Sequence, residues 1–136
     1  MAKVYSGKVV IPGDKIAEYL KIITNAEKKR EPFRRYLLDL NQDFYAFLQS
    51  KFSQRTARKH SFIVELFIDF VCRQTDVEKI DEITKGMVKT HFRNWWRRKV
   101  LDSTTPDELR GALRKFFKFL AEEKGILNEK ALNALQ

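Results

Sequence analysis

Residues 62–71 read Phe-Ile-Val-Glu-Leu-Phe-Ile-Asp-Phe-Val, a run in which only Glu65 and Asp69 are charged. At about 100° per residue, Phe62, Ile63, Val64, Leu66, Phe67, Ile68, Phe70 and Val71 cover nearly every side of a helix over residues 54–74. A helix apolar almost all round has to be surrounded by other elements. It is too short and too interrupted to span a bilayer, so it belongs in the middle of a bundle. Its first turns differ: Arg55, Arg58 and Lys59 give the buried rod a cationic tip.

The partners for such a rod are present. Leu37, Leu40, Phe44, Phe47, Leu48 and Phe52 space out a long amphipathic helix, and Ser53 is placed to cap the next one. Between Lys85 and Leu101, Val88, Phe92, Trp95 and Trp96 share one side of a helix capped by Thr84. Leu109, Leu113, Phe116, Phe117 and Leu120 form the stripe of another. Its start, Thr105-Pro106-Asp107-Glu108, has the form of a capping box with proline at the first helical position, and Gly125 is its natural stop. Asn128 is placed to cap a short last helix holding Ala131, Leu132 and Leu135. Ahead of all these, Asp14 is expected to cap a helix buried through Ile16, Tyr19, Leu20 and Ile23. Pro32 leaves kink and break both open there. Val9-Val10-Ile11 is the only strand-like stretch, an extended arm or half of a two-stranded pairing. The expected fold is all-α: a compact orthogonal helical bundle of about four core helices, with an extra N-terminal helix and a short C-terminal helix. The expected divisions are 1–36 (arm and additional helix), 37–127 (core) and 128–136 (last helix).

Charge is patterned on this frame. The 136 residues carry a formal net charge of +9. From Lys85 to Leu101 there are six basic residues and no acidic one, and Lys85, Lys89, Arg93 and Arg97 form an i, i+4 ladder beside the apolar stripe. Arg110, Arg114 and Lys118 make a second ladder. Aligned positive ladders on rigid helices suit a polyanion better than a small molecule. A helix start with free N–H groups, a hydroxyl at Ser53 or Thr56 and flanking arginines suits a phosphate.

Other chemistries find little support. His60 and His91 have no carboxylate or cysteine at metal spacing, Ser53 lacks a base, and no glycine-rich phosphate loop exists. Cys72, the one cysteine, sits in an apolar run and reads as an inert buried thiol. Dipole complementation accounts for Asp107-Glu108, and solvation for Glu122-Glu123. Trp95 and Trp96 stand beside Val88 and Phe92, which favours the core over base stacking, for Trp95 above all. The N-terminus lacks the apolar segment of a signal peptide, so a soluble, cytoplasmic protein is expected. No cofactor, metal or membrane partner is expected, and no enzymatic activity.

The stretch from Leu40 to Gly125 resembles the N-terminal core-binding, or SAM-like, domain of phage-integrase-type tyrosine recombinases. Several motifs carry the likeness: Phe44-Tyr45-Ala46-Phe47-Leu48, Ser53-Gln54-Arg55-Thr56, Leu66-Phe67-Ile68-Asp69-Phe70, the Ile83-Thr84 boundary, and Leu109-Arg110-Gly111-Ala112-Leu113-Arg114-Lys115-Phe116-Phe117-Lys118-Phe119-Leu120 with Lys124-Gly125-Ile126. The resemblance implies a four-helix module that clamps one side of duplex DNA, its second and fourth helices near the major groove and touching mainly phosphates. By position it implicates Ser53, Arg55, Thr56, Arg58 and Lys59, then Arg110 and Arg114 with Lys115 and Lys118. It further implies a recombinase catalytic domain or subunit as partner. The chain departs from the pattern in having Asn128-Glu129 where Asn-Pro often stands, residues 1–36 fall outside it, and no catalytic cluster of the recombinases is present, so strand cleavage is not expected. The alternative is a helical protein-interaction or homodimerisation module, with Trp96, Phe119 and the last helix packing on a partner.

Overall fold

Local rules set most of the helix boundaries. Ser53 takes an extended backbone (φ −61°, ψ 156°) and its Oγ accepts the Thr56 amide at 3.2 Å, which opens the second helix. Thr105 does the same for Glu108 at 3.2 Å, while the Glu108 carboxylate accepts the Thr105 amide at 3.3 Å, completing the capping box. Gly125 closes that helix in the left-handed region at φ 67°, a conformation that favours glycine. In the computed structural model, which describes residues 2–4 and 11–136, the elements are α1 (Ile16–Gln49), α2 (Gln54–Gln74), α3 (Phe92–Lys99, entered through a π turn at Met87–His91), α4 (Pro106–Lys124) and α5 (Glu129–Leu135). Short 3-10 turns lie at Gly13–Lys15 and Ile80–Glu82. The expected all-α bundle is what forms.

The first half of the chain departs from expectation. Pro32 lies inside α1, so the additional N-terminal helix is not separate but the leading half of one 34-residue rod. Asp14 falls in the 3-10 turn, and no side chain caps α1. α1 and α2 run antiparallel: Asn41 donates to the Ser61 carbonyl at 3.1 Å, Arg34 pairs with Asp69 at 2.8 Å, and Arg30 reaches the Val71 and Val77 carbonyls. α2 ends at that level, so residues ahead of Arg30 have no α2 to lie against. The stripe expected to be buried there is open instead, with Ile16 at 47% and Leu20 at 56% exposure and Tyr19 and Ile23 half-buried. Val4 forms an isolated antiparallel bridge with Thr75, and the Lys3 amide donates to the Asp76 carboxylate. Val9 and Val10, in the strand-like stretch, lie outside the described residues.

α2 is the centre, as its composition requires. Ile63, Val64, Phe67, Ile68, Phe70 and Val71 are buried, although Phe62 is half in solvent with its ring edge-on to Trp96. Aromatic rings knit the bundle: Phe67 meets Phe92 at 5.1 Å and Phe117 at 6.1 Å, and Phe44 meets Phe116 at 5.3 Å. Edge-on pairs of this kind add to what burial alone supplies. Trp95 and Trp96 are both core, and the Trp96 indole N–H donates to Asp102 at 3.3 Å. Met87 and Phe92, which an α-helix would set about 140° apart, are also both buried. The π turn between them, with its i→i+5 bonding, brings both inward. Asn128 is buried; it accepts the Ala131 amide at 3.0 Å and donates to the Ile80 and Ile83 carbonyls, which ties α5 to the loop after α2.

Candidate nucleic-acid interface

The start of α2 carries its cations outward because the opposite side is held by Ala57, which is fully buried. Arg55, Arg58 and Lys59 are exposed. Ser53 is committed locally: besides accepting from Thr56, its hydroxyl donates to Thr56 Oγ1 at 3.0 Å. Of the two hydroxyls, only that of Thr56 keeps its proton for an incoming acceptor.

α4 meets α2 at this end. Lys59 Nζ lies 3.2 Å from the Glu108 carboxylate, a link between the second turn of α2 and the first turn of α4. Lys59 and the Thr105 amide together hold the Glu108 carboxyl below its usual range. Arg110 is also engaged, at 2.7 Å from Asp107 on its own helix. Arg114 and Lys118 are exposed and form no ion pair among the described residues; the same holds for Arg55 and Arg58. Lys115 is half-buried, with its ammonium 5.6 Å from the centre of the Phe52 ring. Burial, and then the neighbouring charge of Arg114, lower its pKa. His60, on α2, faces the same region. Burial and then the charge of Lys115 lower its pKa, Lys59 adding to the effect and Glu108 opposing it, and its Nδ1 is buried without a partner. Lys59, Glu108, His60 and Lys115 therefore join the start of α2 to α4, while Arg114 and Lys118 line a further cleft with Leu132 of α5 and Gln136.

The ladder of Lys85, Lys89, Arg93 and Arg97 is only partly joined to α4. A π turn takes one residue more per hydrogen bond, so an i, i+4 row crossing it slips. Lys89 and Arg93 line a cleft against Arg110 and Asp107 at the head of α4. Lys85 and Arg97 are exposed, and no contact among the described residues ties them to that cleft or to α2. Sequence reasoning also missed the internal acidic partners of two candidate cations, Lys59 and Arg110. The Asp107–Arg110 pair was readable from its i, i+3 spacing; the Lys59–Glu108 pair, between helices, was not. Trp96 and Phe119, offered as anchors for a protein partner, are 3% and 4% exposed and belong to the chain's own core. Cys72 is buried, and burial raises its thiol pKa, as suits an inert group. No helix among the described residues is long and apolar enough to cross a membrane.

Compared with known families, residues 33–124 match the sequence model described as phage integrase, N-terminal SAM-like domain. The chain belongs to that family. Searches of curated proteins and of solved structures return no match. The integrase SAM-like match begins one residue after Pro32, inside α1, and closes at Lys124, the last residue of α4. It therefore spans the second half of α1, α2, α3 and α4. The projecting half of α1 and the whole of α5 lie outside it.

Proposed function

We propose that this integrase SAM-like chain is a non-catalytic DNA-binding module that grips the backbone of duplex DNA through the start of α2 and the outer face of α4. Residues 37–127 are the binding unit in this reading, acting on DNA in the cytoplasm. Strand chemistry is supplied by a recombinase catalytic domain or subunit. The observation that carries it is the set of exposed cations, with no ion pair among the described residues, on two helices linked near their starts by Lys59 and Glu108. Arg55 and Arg58 on one side and Arg114 and Lys118 on the other are free to meet phosphates. Thr56, Lys59, Arg110 and Lys115 contribute from partly engaged positions, and Lys85 and Arg97 extend the positive field. Salt titration of binding to random duplex DNA tests the reading. Four neutralised phosphates give a log–log slope of about −3.6. A slope near zero, or no binding at low salt, refutes it.

The second reading, a homodimer or other helical interaction module, is favoured by one observation: Ile16, Leu20 and Ile22 stand 47%, 56% and 66% exposed on the projecting half of α1. A salt-insensitive dimer in light scattering, with no shift of duplex DNA, is its signature.

A further inference from the structure

Where the π turn and α3 pass the head of α4, the surface folds into a cleft of about 150 Å³. At roughly 30 Å³ per water, that is room for a tetrahedral oxyanion with a partial hydration shell. Val88 and Leu109, both buried, form part of an apolar floor, so charges at the mouth act through a medium of lower dielectric than water. Three cations from three successive elements line it: Lys89 from the π turn, Arg93 from α3 and Arg110 from α4. One carboxylate, Asp107, lines it as well, and it already holds Arg110 at 2.7 Å. With three positive charges and one negative, the cleft keeps an excess of two.

Arg93 is the half-buried cation of the three, and its Nε–H, enclosed by protein atoms, has no acceptor among the described residues, a costly arrangement for a charged donor. The guanidinium fork matches a phosphate or carboxylate edge, and Lys89 supplies a second, mobile donor on the same cleft. A carboxylate offers two oxygens and one charge. A phosphate group offers further oxygens, enough to serve Arg93, Lys89 and Arg110 together.

We propose that this cleft is a seat for a single phosphate group, and that Asp107 is an internal competitor holding Arg110 until the phosphate arrives. Where the phosphate belongs to duplex DNA, the proposal rests on the DNA-binding reading above and gives the third helix a defined contact. Where it is a free phosphate, the seat stands without that reading.

NMR of the full chain, following the Arg93 Nε–H resonance, tests it with two probes: inorganic phosphate, and a short random duplex. Phosphate shifts that resonance saturably while chloride at equal ionic strength does not. Lys89→Gln, an exposed position, weakens phosphate binding by about tenfold. Asp107→Asn strengthens it, by up to about fivefold, the range of an exposed ion pair. A duplex that shifts the same resonance and competes with phosphate assigns the seat to the DNA backbone. A duplex that binds elsewhere while phosphate still shifts Arg93 assigns it to a free anion, and a duplex that does not bind at all sinks the DNA reading alone. An Arg93 Nε–H that responds to neither probe overturns the seat. Unchanged phosphate affinity in Asp107→Asn overturns the competition.

Discussion

Replacing Arg114 and Lys118 together by glutamine separates a defined binding face from net charge alone. Both side chains are exposed, neither has an acidic partner among the described residues, and glutamine keeps helix propensity close to that of arginine and lysine. Circular dichroism and stability should therefore be those of the parent. Each lost phosphate contact removes about 0.9 from the log–log salt slope, so the pair removes about 1.8. By the same relation, affinity falls about 30-fold at 0.15 M salt and about 200-fold at 0.05 M. The control removes the same two charges at Lys28 and Lys29, exposed on the projecting half of α1. Both variants are titrated with a fluorescent duplex at several salt concentrations. The control should lose less than about threefold, as expected for charges that only contribute to the general field. Equal losses in the two variants, or a loss with no change of slope, would refute the idea that α4 presents a specific phosphate-binding face.

Three further outcomes test the frame beneath that face. Phe44→Ala empties a fully buried site between the Phe116 and Phe119 rings and should cost about 3–5 kcal/mol in urea unfolding; a smaller cost means that this junction is not close-packed. Thr105→Ala removes the cap of α4 and should cost about 1 kcal/mol, read as a lower urea midpoint at unchanged slope. The His60 imidazole resists protonation in the folded chain, so the unfolded chain binds more protons once pH drops towards the ordinary value of 6.5. Stability is then present above that value and is lost as pH falls through the depressed folded value; His60→Gln should flatten the dependence, and an unchanged profile in that variant assigns it to another group.

The caps show how much of this fold sequence can carry. Ser53, Thr105, Asn128 and Gly125 act where their side chains and backbone preferences place them, because capping is settled within four residues. The core stripes of α2 and α4 were equally readable, since burial follows the helical period. Tertiary context decided the rest. Pro32 looks like an interruption locally, yet the residues after it are anchored on α2 by Arg34 and Asn41, and the helix continues through it. Ile16 and Leu20 have the spacing of a buried face, but no α2 remains beside them to bury it. Met87 lay outside the expected stripe and entered the core through the π turn. The candidate site divides in the same way. The cations were legible as ladders, whereas the clip between Lys59 and Glu108 and the cleft around Arg93 arise from helices distant in sequence.

At about 1.5 Å per residue, the 34 residues of α1 make a rod roughly 50 Å long, and the half ahead of Arg30 overhangs α2 by about 20 Å. Such an outrigger fixes the stand-off and heading of whatever is attached to its far tip, in the way a flexible tether never does. Pro32 sits near the fulcrum, where its missing N–H leaves one rung out of the ladder of backbone bonds.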